Sequence, residues 1–117
     1  MRIKTMAVFS VVFSLALMPA LTAVASEVAD EISRHEALAV SYEQKVSQQD
    51  ALIAEHESMK ADALRAGTFN PKVGPSLDYR KMKNHCDKLI QSAKGTKEEL
   101  AAFAKYHKMR IEELQGK

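Results

Sequence analysis

No tryptophan occurs in this chain, and beyond residue 25 it has only two phenylalanines, Phe69 and Phe103. That shortage argues against a haem held by His and Met inside a helical bundle, because such a pocket needs large apolar walls. The one cysteine, Cys86, excludes an internal disulfide framework, and no C-x-x-C-H element is present for covalent haem. Glycine and proline are sparse, and Gly67, Pro71, Gly74 and Pro75 fall together, so long helices are allowed on either side, and there is no glycine-rich loop to cradle a phosphate. His35-Glu36 and His56-Glu57 both lack a second histidine four residues on, and no Ser-His-Asp set is evident. An enzyme is therefore not expected.

An excess of either charge is missing as well. The chain carries 17 Lys plus Arg against 15 Asp plus Glu, and two of the basic residues, Arg2 and Lys4, precede an apolar run from Met6 to Leu21. Ala23-Val24-Ala25 then supplies small residues where a signal peptidase reads. The expectation is a signal peptide over residues 1–25 and a mature chain from Ser26, periplasmic or secreted. The run is shorter than the ~20 residues needed to cross a bilayer and contains Pro19, so no stable membrane anchor is expected after cleavage. Removing the leader leaves 15 residues of each sign. With no net field, nucleic acid is not an expected partner.

What is present is spacing. From Ser26 to Ala66, Val28, Ile32, His35, Ala39, Tyr42, Val46, Gln49, Ile53, His56 and Ala63 fall mostly three and four apart, the pattern of a helix with one buried stripe. Ser26 is the expected N-cap, and Gly67 with Asn70-Pro71 marks the end. Ser76 caps a second helix with Asp78 in its first turn. In that helix Tyr79, Cys86, Ala93, Leu100, His107 and Leu114 form one seam column, and Met82, Leu89, Thr96, Phe103 and Arg110 the other. Because this phase passes through Gly95 without a slip, one continuous helix is expected despite the Thr96-x-x-Glu99 capping signal.

The predicted fold is all-α, a long antiparallel two-helix hairpin: helix 27–66, turn 67–75, helix 76–115. A turn centred near Pro71 places His56 opposite Cys86 and His35 opposite His107. Leu38, Leu52 and Leu64 on the first helix, with Ile90, Ala104 and Ile111 on the second, widen the apolar stripe beyond one seam. A homodimer forming a four-helix bundle is therefore predicted.

Two layers carry chemistry. Near the turn, His56 and Met59 share one helix face, and Met82, His85 and Cys86 share another. Imidazole, thioether and thiolate donors at one level suit copper, above all Cu(I), and zinc less well. His35 and His107, about 30 Å away, form a secondary candidate metal layer. The competing reading is a metal-free interaction or scaffold protein in which the methionines fill gaps, Cys86 packs as a small hydrophobe and the histidines bond to each other or to neighbours.

The H-x-x-M element His56 to Met59, the proline-containing turn, Asn84-His85-Cys86-Asp87 and the late Tyr106-His107 resemble small exported bacterial helical-hairpin proteins of unknown function. The resemblance covers most of the mature chain and implies export and helices, without supplying a reaction. The repeated L-T-x-x-Q element of periplasmic stress chaperones is absent.

Overall fold

The computed structural model describes residues 18–65, 69–70 and 72–117, with side-chain surroundings from Thr22 onward and not for 69–70. The basic start and most of the apolar run of the expected leader, and Gly67 and Pro71 of the expected turn, lie outside the described residues. Helix α1 spans Met18–Arg65 and helix α2 spans Leu77–Leu114. Between them two short strands, β1 (Phe69–Asn70) and β2 (Gly74–Pro75), pair antiparallel, with Phe69 opposite Pro75 and Asn70 opposite Gly74. Gly74 takes φ +85°, a left-handed conformation that costs glycine nothing and other residues strain. No described helix is long and apolar enough to cross a membrane.

The expected hairpin is formed, and its helix ends follow from local chemistry. The Ser76 side chain accepts a hydrogen bond from the backbone N–H of Tyr79 at 3.1 Å, which satisfies one of the free donors that open α2. The helix then runs through Gly95 unbroken, and the Thr96 hydroxyl donates back to the Ser92 carbonyl instead of capping a new start. The beginning of α1 differs from expectation. It starts at Met18 rather than at Glu27, so Ser26 sits inside the helix and caps nothing. Residues 20–25 are Ala, Leu, Thr and Val with no breaker among them, and they continue the helix.

The core is a single line of small side chains. Among the described residues Ala39, Tyr79, Cys86, Ile90, Ala93 and Ala104 are buried, Cys86 completely. Four of these six are alanine or cysteine, which lets the two backbones approach closely. The Cα trace is accordingly only 16 Å wide in each of its two short directions.

This close approach shifts one column of the predicted seam, leaving Met82, Leu89 and Arg110 half-buried at its edge and putting Thr96 and Phe103 outside it. Tyr79, Cys86 and Ala93 are buried and His107 is half-buried, as expected, but their companions in the seam are Ile90, Lys97, Ala104 and Ile111. Phe103 is 52% exposed and Thr96 is exposed as well. A phenylalanine is too wide for a gap set by Ala39, Ala93 and Ala104. It turns to the side and stacks on Tyr42, with ring centroids 5.3 Å apart. Lys97 enters the seam by its aliphatic stem, and its ammonium reaches Asp50 of α1 at 2.6 Å.

Candidate functional site

At the open end the predicted pairing of His35 with His107 is realised. Their Nδ1 atoms lie 2.8 Å apart, a hydrogen bond between α1 and α2. One ring must donate and the other accept, so this geometry requires at least one neutral imidazole. Tyr42 stacks on His107 with centroids 5.6 Å apart and 10° between the planes, and Tyr106 meets the same ring edge-on. Glu31 lies 3.8 Å from His35 Nε2 and 3.9 Å from Arg110, so it sits between the pair and the charged end of α2. Arg110 also pairs with Glu113, whose carboxylate is the main reason its guanidinium is held even more firmly protonated than usual.

Near the turn the candidates separate. Cys86 is a free thiol sealed in the seam. His56 is half-buried, and its Nδ1 is buried without a hydrogen-bond partner. Met82 is half-buried one turn before Cys86, whereas Met59 is 42% exposed and His85 is exposed. Adjacent helical residues point about 100° apart, so the burial of Cys86 sends its neighbour His85 outward. Among the described residues, no three His, Cys, Asp or Glu side chains converge as metal ligands would.

A polar cluster beside this layer was not anticipated. Lys60 of α1 and Lys83 of α2 both donate to Asp87, at 2.7 and 2.6 Å. The Lys60 hydrogen bond, then that of Lys83, holds the Asp87 carboxyl below its ordinary range. Asp87, and then Glu57, raises Lys60 in turn. The i,i+4 spacing of Lys83 and Asp87 was visible in the sequence, but the contact with Lys60 depends on how the helices register.

Further along the same side, Glu43 pairs with Lys108 and Asp50 with Lys97. The opposite side of the hairpin carries a shallow groove lined by Tyr42, Glu99, Ala102, Phe103, Tyr106 and His107. Lys45 lies 5.2 Å from the Tyr42 ring centroid on this side. Comparison with protein-family models, curated proteins and solved structures returns no match for this chain.

Proposed function

We propose that the processed chain is an exported helical-hairpin interaction protein whose apolar helix surface binds protein, the expected occupant being a second copy of the chain in a homodimeric four-helix bundle. The observation that carries this reading is that four exposed large apolar groups share one flank of a rod whose own core is very small, while Val40, Leu64 and Met109 are exposed singly elsewhere. Leu38 is 43% exposed, Met59 42%, Phe103 52% and Tyr106 53%. Apolar groups aligned on one flank of a slender rod, interrupted here only by Lys45 and Thr96, mark a surface suited to another protein. In this reading His35 with His107 fixes the register at one end, while Cys86 packs as a small apolar group near the other. A photo-reactive residue placed at Phe103 is expected to cross-link protein in the native compartment, with Lys94 on the other side as the control. Equal or absent cross-linking at the two positions would contradict the interaction reading.

A second reading is favoured by one specific observation, the buried His56 nitrogen with no partner in the same seam as Cys86. Here the protein is a copper buffer or carrier, with zinc as the lesser candidate. Cys86 and His56 would bind first and Met82 would support them, while Met59 and His85 would have to turn inward. Titration of the reduced protein with Cu(I) against a competing chelator tests it. Stoichiometric tight binding that Cys86→Ala abolishes would favour copper, and no competition with the chelator would remove it.

A further inference from the structure

Along each helix the seam is flanked by two columns of side chains. On one side of the hairpin α1 presents Glu36, Glu43, Asp50, Glu57 and Leu64, and α2 presents Arg80, Asp87, Lys94, Ala101 and Lys108. These columns already meet within the chain through Glu43 with Lys108, and Lys60, one turn beyond Glu57, reaches Asp87. On the other side α1 presents Glu31, Leu38, Lys45, Leu52 and Met59, and α2 presents Arg110, Phe103, Thr96, Leu89 and Met82 in the same direction along the rod. Glu31 and Arg110, 3.9 Å apart, and the Tyr42–Phe103 stack show that these two columns share a side.

Resting on the homodimer reading above, we infer that this apolar flank binds a second copy of the chain about a two-fold axis parallel to the rods. Both turns then lie at one end, and α1 of each copy lies along α2 of the other.

The order of residues selects this arrangement. A two-fold axis along the rods keeps each level opposite itself, so α1 of one copy meets α2 of the other in step. Glu31 faces Arg110, Leu38 faces Phe103, Leu52 faces Leu89 and Met59 faces Met82. Lys45, the one charge in the middle of the α1 column, faces Thr96 with Glu99 one helical step beyond it. Every charge meets its opposite or a polar group, and every large apolar group meets another. Leu38 of the second copy enters the groove beside Phe103 and Tyr106, where Ala102 leaves room for it. The alternative axis, perpendicular to the rods, puts α1 against α1 with turns at opposite ends. Placed at the level of Lys45, it opposes Lys45 to Lys45 and sets Glu31, paired with Arg110 of its own chain, against Met59.

The area also suits a second copy. The exposed parts of Leu38, Met59, Phe103 and Tyr106, with the half-exposed Leu52, Met82 and Leu89, amount to roughly 500 Å² of side chain. Rim residues on both helices bring that toward the ~800 Å² per partner of a standard stable interface. The resulting bundle has antiparallel neighbours throughout, the arrangement of four-helix bundles with short connections.

Cysteine mixing tests the axis. Differently tagged Leu52→Cys and Leu89→Cys chains, processed as the cell processes them, are mixed and oxidised, with the unsubstituted chain as control for Cys86. A parallel pair of Leu38→Cys and Leu52→Cys chains reports the perpendicular axis. Covalent heterodimer from the first mixture and none from the second is the expected result. The reverse pattern would overturn the inferred axis while leaving a dimer. Cross-links in neither mixture, with a monomeric mass in solution, would overturn the second copy as occupant. Cross-linking of a different protein from Phe103 would then still sustain the interaction reading.

Discussion

The two flanks of this hairpin are built from the same helices at the same spacing, yet one is occupied and the other is open. The charged flank closes on itself, with lysines and carboxylates meeting across the helices. The apolar flank has few such partners and leaves leucine, methionine and aromatic rings in water. The difference assigns separate tasks. Charges on one side specify how α1 and α2 align with each other, and side chains on the other are available to a further surface. Surface ion pairs stabilise little individually, so the charged flank acts on register more than on stability.

The strongest way to break the contrast is to charge the open side. Leu52→Glu is expected to raise the dissociation constant of the dimer about 100-fold or more, since it buries an unpaired carboxylate at the interface. Sedimentation velocity across a dilution series measures this. Overfilling the seam comes next. Ala93→Leu forces apart backbones that small residues hold together, and should lower the unfolding free energy by about 1–3 kcal/mol in urea titrations. His35→Ala removes one partner of the 2.8 Å histidine pair and is expected to cost about 1 kcal/mol, with protection from hydrogen exchange lost first at the open end.

The smallest effects belong to the charged flank. Glu43→Ala should change stability by no more than about 0.5 kcal/mol and leave the dimer intact. Asp87→Asn sharpens the picture through pH. Because the Asp87 carboxyl is held below its ordinary value of 3.8, its contribution is present above that value and is lost as pH falls through the lower folded value. Lys60 is raised from 10.5, so its contribution is present below that pH and lost as the pH climbs past its folded value. The variant should therefore melt slightly below the natural chain at pH 7, and the gap should close in strong acid.

The two histidine layers show what periodicity conveys and where it stops. His35 and His107 could be paired from the sequence because the spacing on each helix and the place of the turn together fix the level, and their nitrogens do meet. The continuity of α2 through Gly95 followed from the same unbroken phase. The second seam column followed only in part, with Met82, Leu89 and Arg110 half-buried and Thr96 and Phe103 exposed. From Tyr79 onward a step of three to Met82 or of four to Lys83 fits a seven-residue repeat equally well, and so do Leu89 and Ile90 or Phe103 and Ala104. The choice is made by sizes across the gap, where Ala39 admits alanines and excludes Phe103. That information lies in both helices at once and in neither alone.

The turn-end layer shows the same boundary at the level of chemistry. His56 and Cys86 could be placed on the seam from their spacing, and both lie there. His85 and Met59 were grouped with them because spacings of three and four place them on a shared helix face, but such a face is wider than the seam, and both lie at its exposed edge. The start of α1 at Met18 belongs to the uncleaved chain, in which residues precede Ser26. Ser26 is a good cap only if the chain turns away before it, and residues 20–25 favour continuing. The Lys60–Asp87–Lys83 cluster needed a register finer than one helical turn.

The most direct test of the contrast between the flanks is the solution mass of three chains by sedimentation equilibrium: the natural one, Leu52→Glu, and Glu43→Ala. The account predicts a dimer for the natural chain and for Glu43→Ala, and a monomer of unchanged helicity for Leu52→Glu. A natural chain that stays monomeric at every concentration, or a dimer lost with Glu43→Ala and kept with Leu52→Glu, would contradict it.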